Sequence, residues 1–445
     1  MSEVERTLRA EPLRRFKPYP AYKDSGVEWL GKIPAHWEVY ALRRKLFREA
    51  GSIKIGPFGS ALKLEFMAEE GFKVYGQEHV IARDFKRGSK YIDQAKFSEL
   101  AACEIRPRDI VVTMMGSSGR CAVVPDGIEQ GIMDSHLLRI RLPDAELDSR
   151  FLALLIDEAD YVGDQIGAAG KGAIMHGLNS SIIKSIVLAA PPTDEQFRIL
   201  EFLDRETARI DALVAKKERL IELLQEKRNA LITRAVTKGL GPTVPMKDSG
   251  VEWLGEIPAH WEVKPLRWAL SVRSGEALSN TEFEPAQEGG LHVAVIGGNG
   301  VMGYTSQANI HVPTIAIGRV GALCGNVHLV DPPAWITDNA LVVSDIRGFD
   351  RAYLGLLLRV LDLNRWASQN AQPLITGGFV KAQVVCVPPV EEQQNIAVFL
   401  GRETACIDAL VAKIHDAIDR LKELRIALIS AAVTGKIDIR EEVTA

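Results

Sequence analysis

Three segments of this 445-residue chain have a spacing that could do chemistry, and each lacks a part. Gly298-Asn299-Gly300-Val301-Met302-Gly303 fits GxGxxG and comes after the apolar run LHVAVIG. A dinucleotide or S-adenosylmethionine loop must open a helix whose N-terminus faces the ligand. The next residues here, YTSQANIHVPT, are strand and turn material. Asp331-Pro332-Pro333 is like the D-P-P-aromatic motif of amino-methyltransferases, but Ala334 stands where the stacking aromatic belongs and Trp335 comes one place late. Lys171 in GAAGKGA lacks the upstream glycine and the Ser/Thr of a phosphate loop. His36 and His260 sit beside Trp37 and Trp261, where packing is the expected role. No Ser/His/Asp, paired-acid or PD-then-ExK spacing stands out. The chain reads as non-catalytic, with no cofactor or metal site of its own.

A second class of chemistry is recognition. Polar, irregular stretches from Gly51 (GSIKIGPFGSALK) and Tyr75 (YGQEHVIARDFKRGSK) carry Gln77, Glu78 and His79, which offer amide, acid and imidazole edges to bases. Lys54, Lys63, Arg83, Lys86, Arg87 and Lys90 around them could hold phosphates, and Ser117 and Arg120 lie in a further loop. Gln pairs with adenine in the major groove, Glu accepts from cytosine, and Arg or Lys contacts guanine. The comparable set later in the chain is Asn299, Tyr304, Thr305, Gln307, Arg319 and Asn326.

These candidates lie in two inserts held by a duplicated frame. Lys23 to Val39 (KDSGVEWLGKIPAHWEV) returns at Lys247 to Val263 with only Lys32 against Glu256 changed, an offset of 224. PPTDEQ from Pro191 returns as PPVEEQ from Pro388, and RETARIDALVAK from Arg205 as RETACIDALVAK from Arg402, both at an offset of 197. The inserts therefore differ in length by 27 residues. Each shows short β-branched runs broken by Gly and Pro, then a helical patch, then an apolar run ending in Pro-Pro, which predicts one mixed α/β domain built twice.

After Pro191-Pro192, Thr193 or Asp194 can cap a helix, with the acidic Glu195 complementing its first turn. No Gly or Pro occurs until Gly239, and Leu203, Ile210, Leu224 and Leu231 recur at heptad spacing, with Lys217 interrupting and Leu213 and Leu220 filling the second seam position. The later copy carries Leu400, Ile407, Ile414, Leu421 and Leu428, joined by Leu410 and Leu424, and stops at Gly435. Two stripes of about 40 residues predict helices about 60 Å long that pair with each other.

Composition narrows the classes. With 47% hydrophobic and 25% charged residues the chain is ordinary globular material of two to four domains. No stretch reaches the roughly 18 apolar residues of a membrane span, and the N-terminus has no apolar core suited to a signal peptide. Five scattered cysteines without CxxC spacing point to the reducing cytosol and a cytoplasmic location. The net charge of −4 conceals an asymmetry: Tyr40 to Lys90 has eleven Lys/Arg against six Asp/Glu, whereas Lys264 to Pro388 has nine of each.

The duplicated SGVEWLGxIPAHWEV segments, the PPxxEQ helix starts, the RETAxIDALVAK stretches and the helix ends ALITRAVT and ALISAAVTG resemble the specificity subunits of Type I restriction–modification enzymes. The resemblance implies a mixed α+β fold: two pseudo-symmetric target-recognition domains, each followed by a long helix, the helices pairing as an antiparallel coiled coil. The expected division is a tail at 1–22, recognition domains at 23–190 and 241–387, a central helix at 191–240, and a C-terminal helix and tail at 388–445. It also implies that each domain reads half of an asymmetric double-stranded DNA site, while the helices set the spacing. Two methyltransferase subunits carrying S-adenosylmethionine would dock on the chain, as would two restriction–translocase subunits carrying ATP and Mg2+. A methylation-only or Type IIB-like system, and a scaffold without DNA contact, are the alternatives.

Overall fold

The computed structural model describes residues 16–46, 51–57, 61–115, 119–143, 146–170, 178–279, 281–287, 292–366 and 373–440. They form two units, one within Met1–Lys216 and Ala417–Ala445, the other within Lys217–Asp416.

Each unit is built from the same parts. In the first, Tyr22–Asp24 pairs antiparallel with Lys32–Pro34, and Glu38–Ala41 pairs with Val187–Ala190. That second pairing brings the two ends of the insert together on one ribbon. In the other unit Met246–Asp248 pairs with Glu256–Pro258, and Glu262–Pro265 with Val384–Val387. The tight turn of the frame repeats in detail. Asp24 Oδ1 accepts from the Gly26 N–H at 2.8 Å, and Asp248 Oδ1 from the Gly250 N–H at 3.0 Å. Both glycines adopt positive φ (72° and 69°), which a side chain would strain.

Inside the frames the divergent inserts share a topology. The first holds a four-stranded antiparallel sheet in the order Ile53–Ile55, Leu137–Ile140, Ile110–Thr113, Cys121–Val123. The second repeats that order with Ser271–Ser274, Ala340–Ser344, Thr314–Gly318 and Val327–Val330. A second sheet in each insert contains one parallel pair, Phe72–Tyr75 with Gly131–Met133 in the first and Val293–Gly297 with Ala334–Ile336 in the second. Alternation sorts the four-stranded sheets: Ile110 and Val112 face the core shared with the long helices, while Val111 faces the core under the second sheet. Ile315, Ile317 and Ala316 divide in the same way.

The central helix runs Thr193–Lys238 and the C-terminal helix Val390–Val433, 46 and 44 residues or about 65–70 Å. Gly239 and Gly435 end them with positive φ, as their sequence predicts. The seam, however, lies one residue later than expected at its second position. Leu213, Leu220 and Leu410 are 48%, 43% and 44% exposed, whereas Val214 is half-buried and Ile221 and Ile418 are 8% and 4% exposed. The buried and half-buried series is 203, 207, 210, 214, 217, 221, 224, 228, 231, 235, repeated at 400, 404, 407, 411, 414, 418, 421, 425, 428, 432. Its alternating steps of four and three are the 3.5-residue period of a coiled-coil seam. Leu203, Ile210, Leu224, Leu231, Leu400, Ile407, Ile414, Leu421, Leu424 and Leu428 are all at least half-buried.

Direction follows from two ion pairs. In the first unit Arg425 Nε lies 3.4 Å from Asp211 Oδ1, and in the second Arg228 Nε lies 3.3 Å from Asp408 Oδ1. The numbers of each pair add to 636, the constant sum of antiparallel neighbours. The offset of 197 also carries Asp211 onto Asp408 and Arg228 onto Arg425, so one contact is written twice.

Candidate nucleic-acid interface

The PPxxEQ starts turn out to clamp each long helix to the mixed α/β domain that precedes it. Glu195 does more than complement the helix dipole. Its Oε1 accepts from Tyr19 Oη at 2.5 Å and Trp37 Nε1 at 3.0 Å, and its Oε2 lies 2.7 Å from His36 Nε2. Gln196 accepts from the Asp148 N–H and donates to the carbonyls of Glu146 and Pro191. In the second unit Glu392 receives His260 and Trp261 at 2.8 and 3.1 Å, and Gln393 receives the Asp350 N–H while donating to Gly348 and Pro388. The histidines of IPAHW are thus hydrogen-bonded parts of the clamp. Tyr19, expected to lie in a tail, is 3% exposed and belongs to the first core. Burial, reinforced by Glu195, raises its hydroxyl far above the ordinary tyrosine range.

Above this platform the first domain gathers most of its candidates on the segment 77–90. Helix Gln77–Ala82 places Gln77 half-buried and Glu78 exposed. His79 corrects the expectation from sequence: it is 1% exposed, its Nδ1 accepts from the Gly76 N–H at 2.9 Å, and its Nε2 donates to the Arg87 carbonyl at 2.8 Å. An imidazole with both nitrogens committed inside the fold offers no edge to a base. Lys73, 1% exposed, likewise donates to the Lys86 carbonyl at 3.1 Å and pairs with Glu129 at 2.7 Å. Together they pin the backbone of a loop whose Lys86, Arg87 and Lys90 side chains are exposed.

Arg83 and Arg120, from different loops, converge on the buried Asp157 carboxylate at 2.7 and 3.2 Å while remaining 57% and 49% exposed. Lys63 is exposed beside Glu65. Lys54 is half-buried in Ile53–Ile55, directly across from Arg139. Ser117 and Lys171 lie outside the described residues.

In the second domain the GxGxxG stretch is the turn and return strand of the hairpin Val293–Gly297 with Gly300–Thr305. No helix opens there. Exposed Asn299 accepts from half-buried Asn326 at 2.8 Å, so those two candidates meet. Arg319 donates to Ser274 Oγ at 2.8 Å, Tyr304 is half-buried and Gln307 is exposed. Thr305 is a second correction: 1% exposed, it donates to the Glu282 carbonyl at 2.8 Å and faces inward. Asp331 of the D-P-P stretch pairs with Arg351 at 2.6 Å. Among the described residues no group of three His, Cys, Asp or Glu could hold a metal ion, and no helix is long and apolar enough to cross a membrane.

Residues 258–420 match the family model of the Type I restriction modification DNA specificity domain. The Escherichia coli Type I restriction enzyme EcoprrI specificity subunit is 32% identical over 139 residues, covering 31% of this chain and 35% of that protein. The MjaVIII specificity subunit of Methanocaldococcus jannaschii is 26% identical over 157 residues, 35% of this chain and 34% of that one. This chain thus spans about a third of the length of each. The EcoKI specificity subunit of E. coli K12 aligns more widely, at 21% identity over 75% of this chain and 76% of its own. The fold matches a solved chain from work on complex assembly and conformational transition of the type I R-M system, with a TM-score of 0.69 at 16% identity over 90% of this chain and 98% of that one. It also matches the HsdS subunit of Thermoanaerobacter tengcongensis, with a TM-score of 0.53 at 15% identity over 91% and 98%. By its duplicated frame, its paired helices and these likenesses, the chain is similar to the specificity subunits of Type I restriction–modification enzymes, and residues 258–420 carry the match to their DNA specificity domain.

Proposed function

We propose that this chain selects the DNA sequence for a Type I restriction–modification complex, reading an asymmetric bipartite site with one recognition domain per half and performing no catalysis itself. The observation that carries the reading is one sheet topology built twice in unlike sequences on a nearly identical frame. Different residues then stand at equivalent reading positions, and the two half-sites differ.

In the first domain Gln77 and Glu78 reach base edges, while Lys54, Lys63, Lys86, Arg87 and Lys90, with Arg83 and Arg120 steadied by Asp157, contact phosphates. In the second, Asn299, Tyr304, Gln307, Arg319 and Asn326 form the reading set. Each good bidentate base contact contributes about 1–3 kcal/mol of discrimination. The long helices hold the spacing, since one base pair shifts a head by about 3.4 Å and about a tenth of a turn.

Two methyltransferase subunits dock on the frame, supplying S-adenosylmethionine and flipping the target adenine. Two restriction–translocase subunits supply ATP and Mg2+, and the complex works in the cytoplasm. Exposed residues that recur in both copies support docking of one partner twice: Trp29 with Trp253, and Ala212-Leu213 with Ala409-Leu410.

The test is methylome sequencing of a host expressing this chain with its neighbouring methyltransferase, against a host lacking the chain. A new methyladenine motif of two unlike halves around a fixed gap is expected. A palindromic motif refutes the two-head reading, and no motif with the partner expressed and bound refutes DNA selection.

A further inference from the structure

One arginine of the first domain is buried without an ion-pair partner among the described residues. Arg139, in the strand Leu137–Ile140, is 4% exposed. Its Nη1 donates to the carbonyls of Ala102 and Glu104 at 3.4 and 2.5 Å, and its Nη2 to that of Gly51 at 2.9 Å. Its Nε has no partner among the described residues, and no carboxylate among them pairs with the guanidinium. Burial, with the Arg141 charge adding to it, pushes the group below the ordinary arginine range.

Neighbouring acids answer this charge only in part: Asp109 offsets it, but is committed to another cation. Asp109 is held in bidentate fashion by Arg141, both contacts at 2.6 Å, and Glu104 pairs with Arg106 at 2.6 Å. Across the strand pair stands Lys54, without a hydrogen-bond or ion-pair partner among the described residues. Arg139, Lys54, Arg106, Arg141 and Glu104 line one open cleft of about 630 Å3. With Asp109 counted, four cations face two anions and leave a net charge of +2.

The fold itself does not need the cation. The equivalent strand pair of the second domain sets Arg273 against Val342, and Val342 is 2% exposed in an apolar cluster with Ala316 and Ile336. An apolar residue therefore builds the same sheet, and a buried cation is costly unless something answers it.

We propose that this cleft of the first domain holds a phosphate group, the phosphodiester of bound DNA, between Lys54 at its edge and Arg139 at its floor. The assignment rests on the DNA-reading function above. A single negative charge lies within the surplus, and the contact carries no base information, so it fixes the position of the domain on the duplex. It also makes the first half-site the more salt-sensitive of the two, in keeping with the basic balance of that insert.

The experiment titrates target and unrelated duplexes with the full chain in complex with its methyltransferase, between about 50 and 200 mM salt. Lys54→Gln and Arg139→Met are compared with wild type, the second mimicking the apolar residue of the other domain. Each is expected to weaken both duplexes by the same factor and to lower the slope of log K against log salt by about 0.9. The deficit relative to wild type then shrinks about 3.5-fold across that range.

An unchanged slope in Lys54→Gln, whose fold is not at risk, overturns the proposal, as does a loss confined to the target duplex. Inorganic phosphate is the second probe. If it raises the melting temperature of wild type and not of Lys54→Gln while the DNA slope stays unchanged, the site serves free phosphate and the DNA assignment fails. A wild-type complex with no salt-dependent DNA binding removes the broader function instead, which separates the two failures.

Discussion

Leu220 and Ile221 are neighbours on the central helix, and only one of them belongs to the seam. Truncating Ile221 to Ala removes three carbons from a site 8% exposed. At about 0.8 kcal/mol per buried carbon the transfer part is roughly 2.4 kcal/mol, and an unfilled cavity brings the loss to about 2–4 kcal/mol. Leu220→Ala removes the same number of carbons from a side chain 43% exposed. Scaled by its buried fraction and offset by the better helix propensity of alanine, its cost is about 1 kcal/mol. Ile418→Ala repeats the Ile221 test at the equivalent position of the C-terminal helix, 4% exposed. Urea titrations monitored by helical circular dichroism should separate Leu220→Ala from the two isoleucine variants by about 1–3 kcal/mol. Equal losses at 220 and 221, or a loss below about 1 kcal/mol at both isoleucines, would refute the seam as placed here.

Glu195→Ala leaves two buried donors, Trp37 Nε1 and Tyr19 Oη, without an acceptor and is expected to cost about 2–5 kcal/mol; Glu392→Ala strands only Trp261 and costs about 1–3 kcal/mol, an order that denaturation midpoints check. His79→Ala is expected to cost about 2 kcal/mol and to speed amide exchange around Arg87, where its hydrogen bond ends; intact stability with lost DNA binding would instead make His79 a DNA contact. Glu129 is held below the usual carboxylate range by its hydrogen bond from Lys73. Its contribution is therefore present above the unfolded-state value near about 4.3 and lost as pH falls through the lower folded value, a step that Glu129→Gln should remove from the acid limb of a stability profile. Seven residues inserted into both helices at matched seam positions add about 10.5 Å while keeping the 3.5 period; the gap in the methylated motif should change and both half-sites should stay the same.

Much of this architecture is legible in the sequence because its signals are local or repeated. The frame shows itself by identity with its own copy, and the long helices by uninterrupted heptad spacing between Pro-Pro and Gly. The second seam position is misplaced when a leucine at heptad spacing stands in for burial. Leu213 and Leu220 fit a leucine heptad better than Val214 and Ile221 do, yet the stepping of four and three admits Thr207, Val214 and Arg228. His79 and Thr305 mislead for a related reason. A polar side chain in an irregular segment has the same letter whether it faces solvent or holds a loop from beneath, and only pairing partners far along the chain distinguish the two. Arg139, flanked by Leu138 and Ile140, carries a usable signal: a cation inside an apolar strand run invites the question of what answers its charge.

The contrast between frame and inserts has a physical reason. In the frame, Glu195 and Gln196 together serve Tyr19, His36, Trp37, Glu146, Asp148 and Pro191, so changing one partner strands several others in a buried setting. Coupling of that kind resists piecemeal change, because each substitution costs more than the single bond it removes. The sheets of the inserts ask for less: alternating apolar residues toward two cores, with register fixed by the strand ribbon that joins their ends. Val342 against Arg139 is the extreme case, where even a buried position differs in charge between the two copies while the strand order survives. A scaffold with a tightly coupled base and loosely constrained heads can change its heads without changing how they are held, and that is the separation the proposed DNA reading requires.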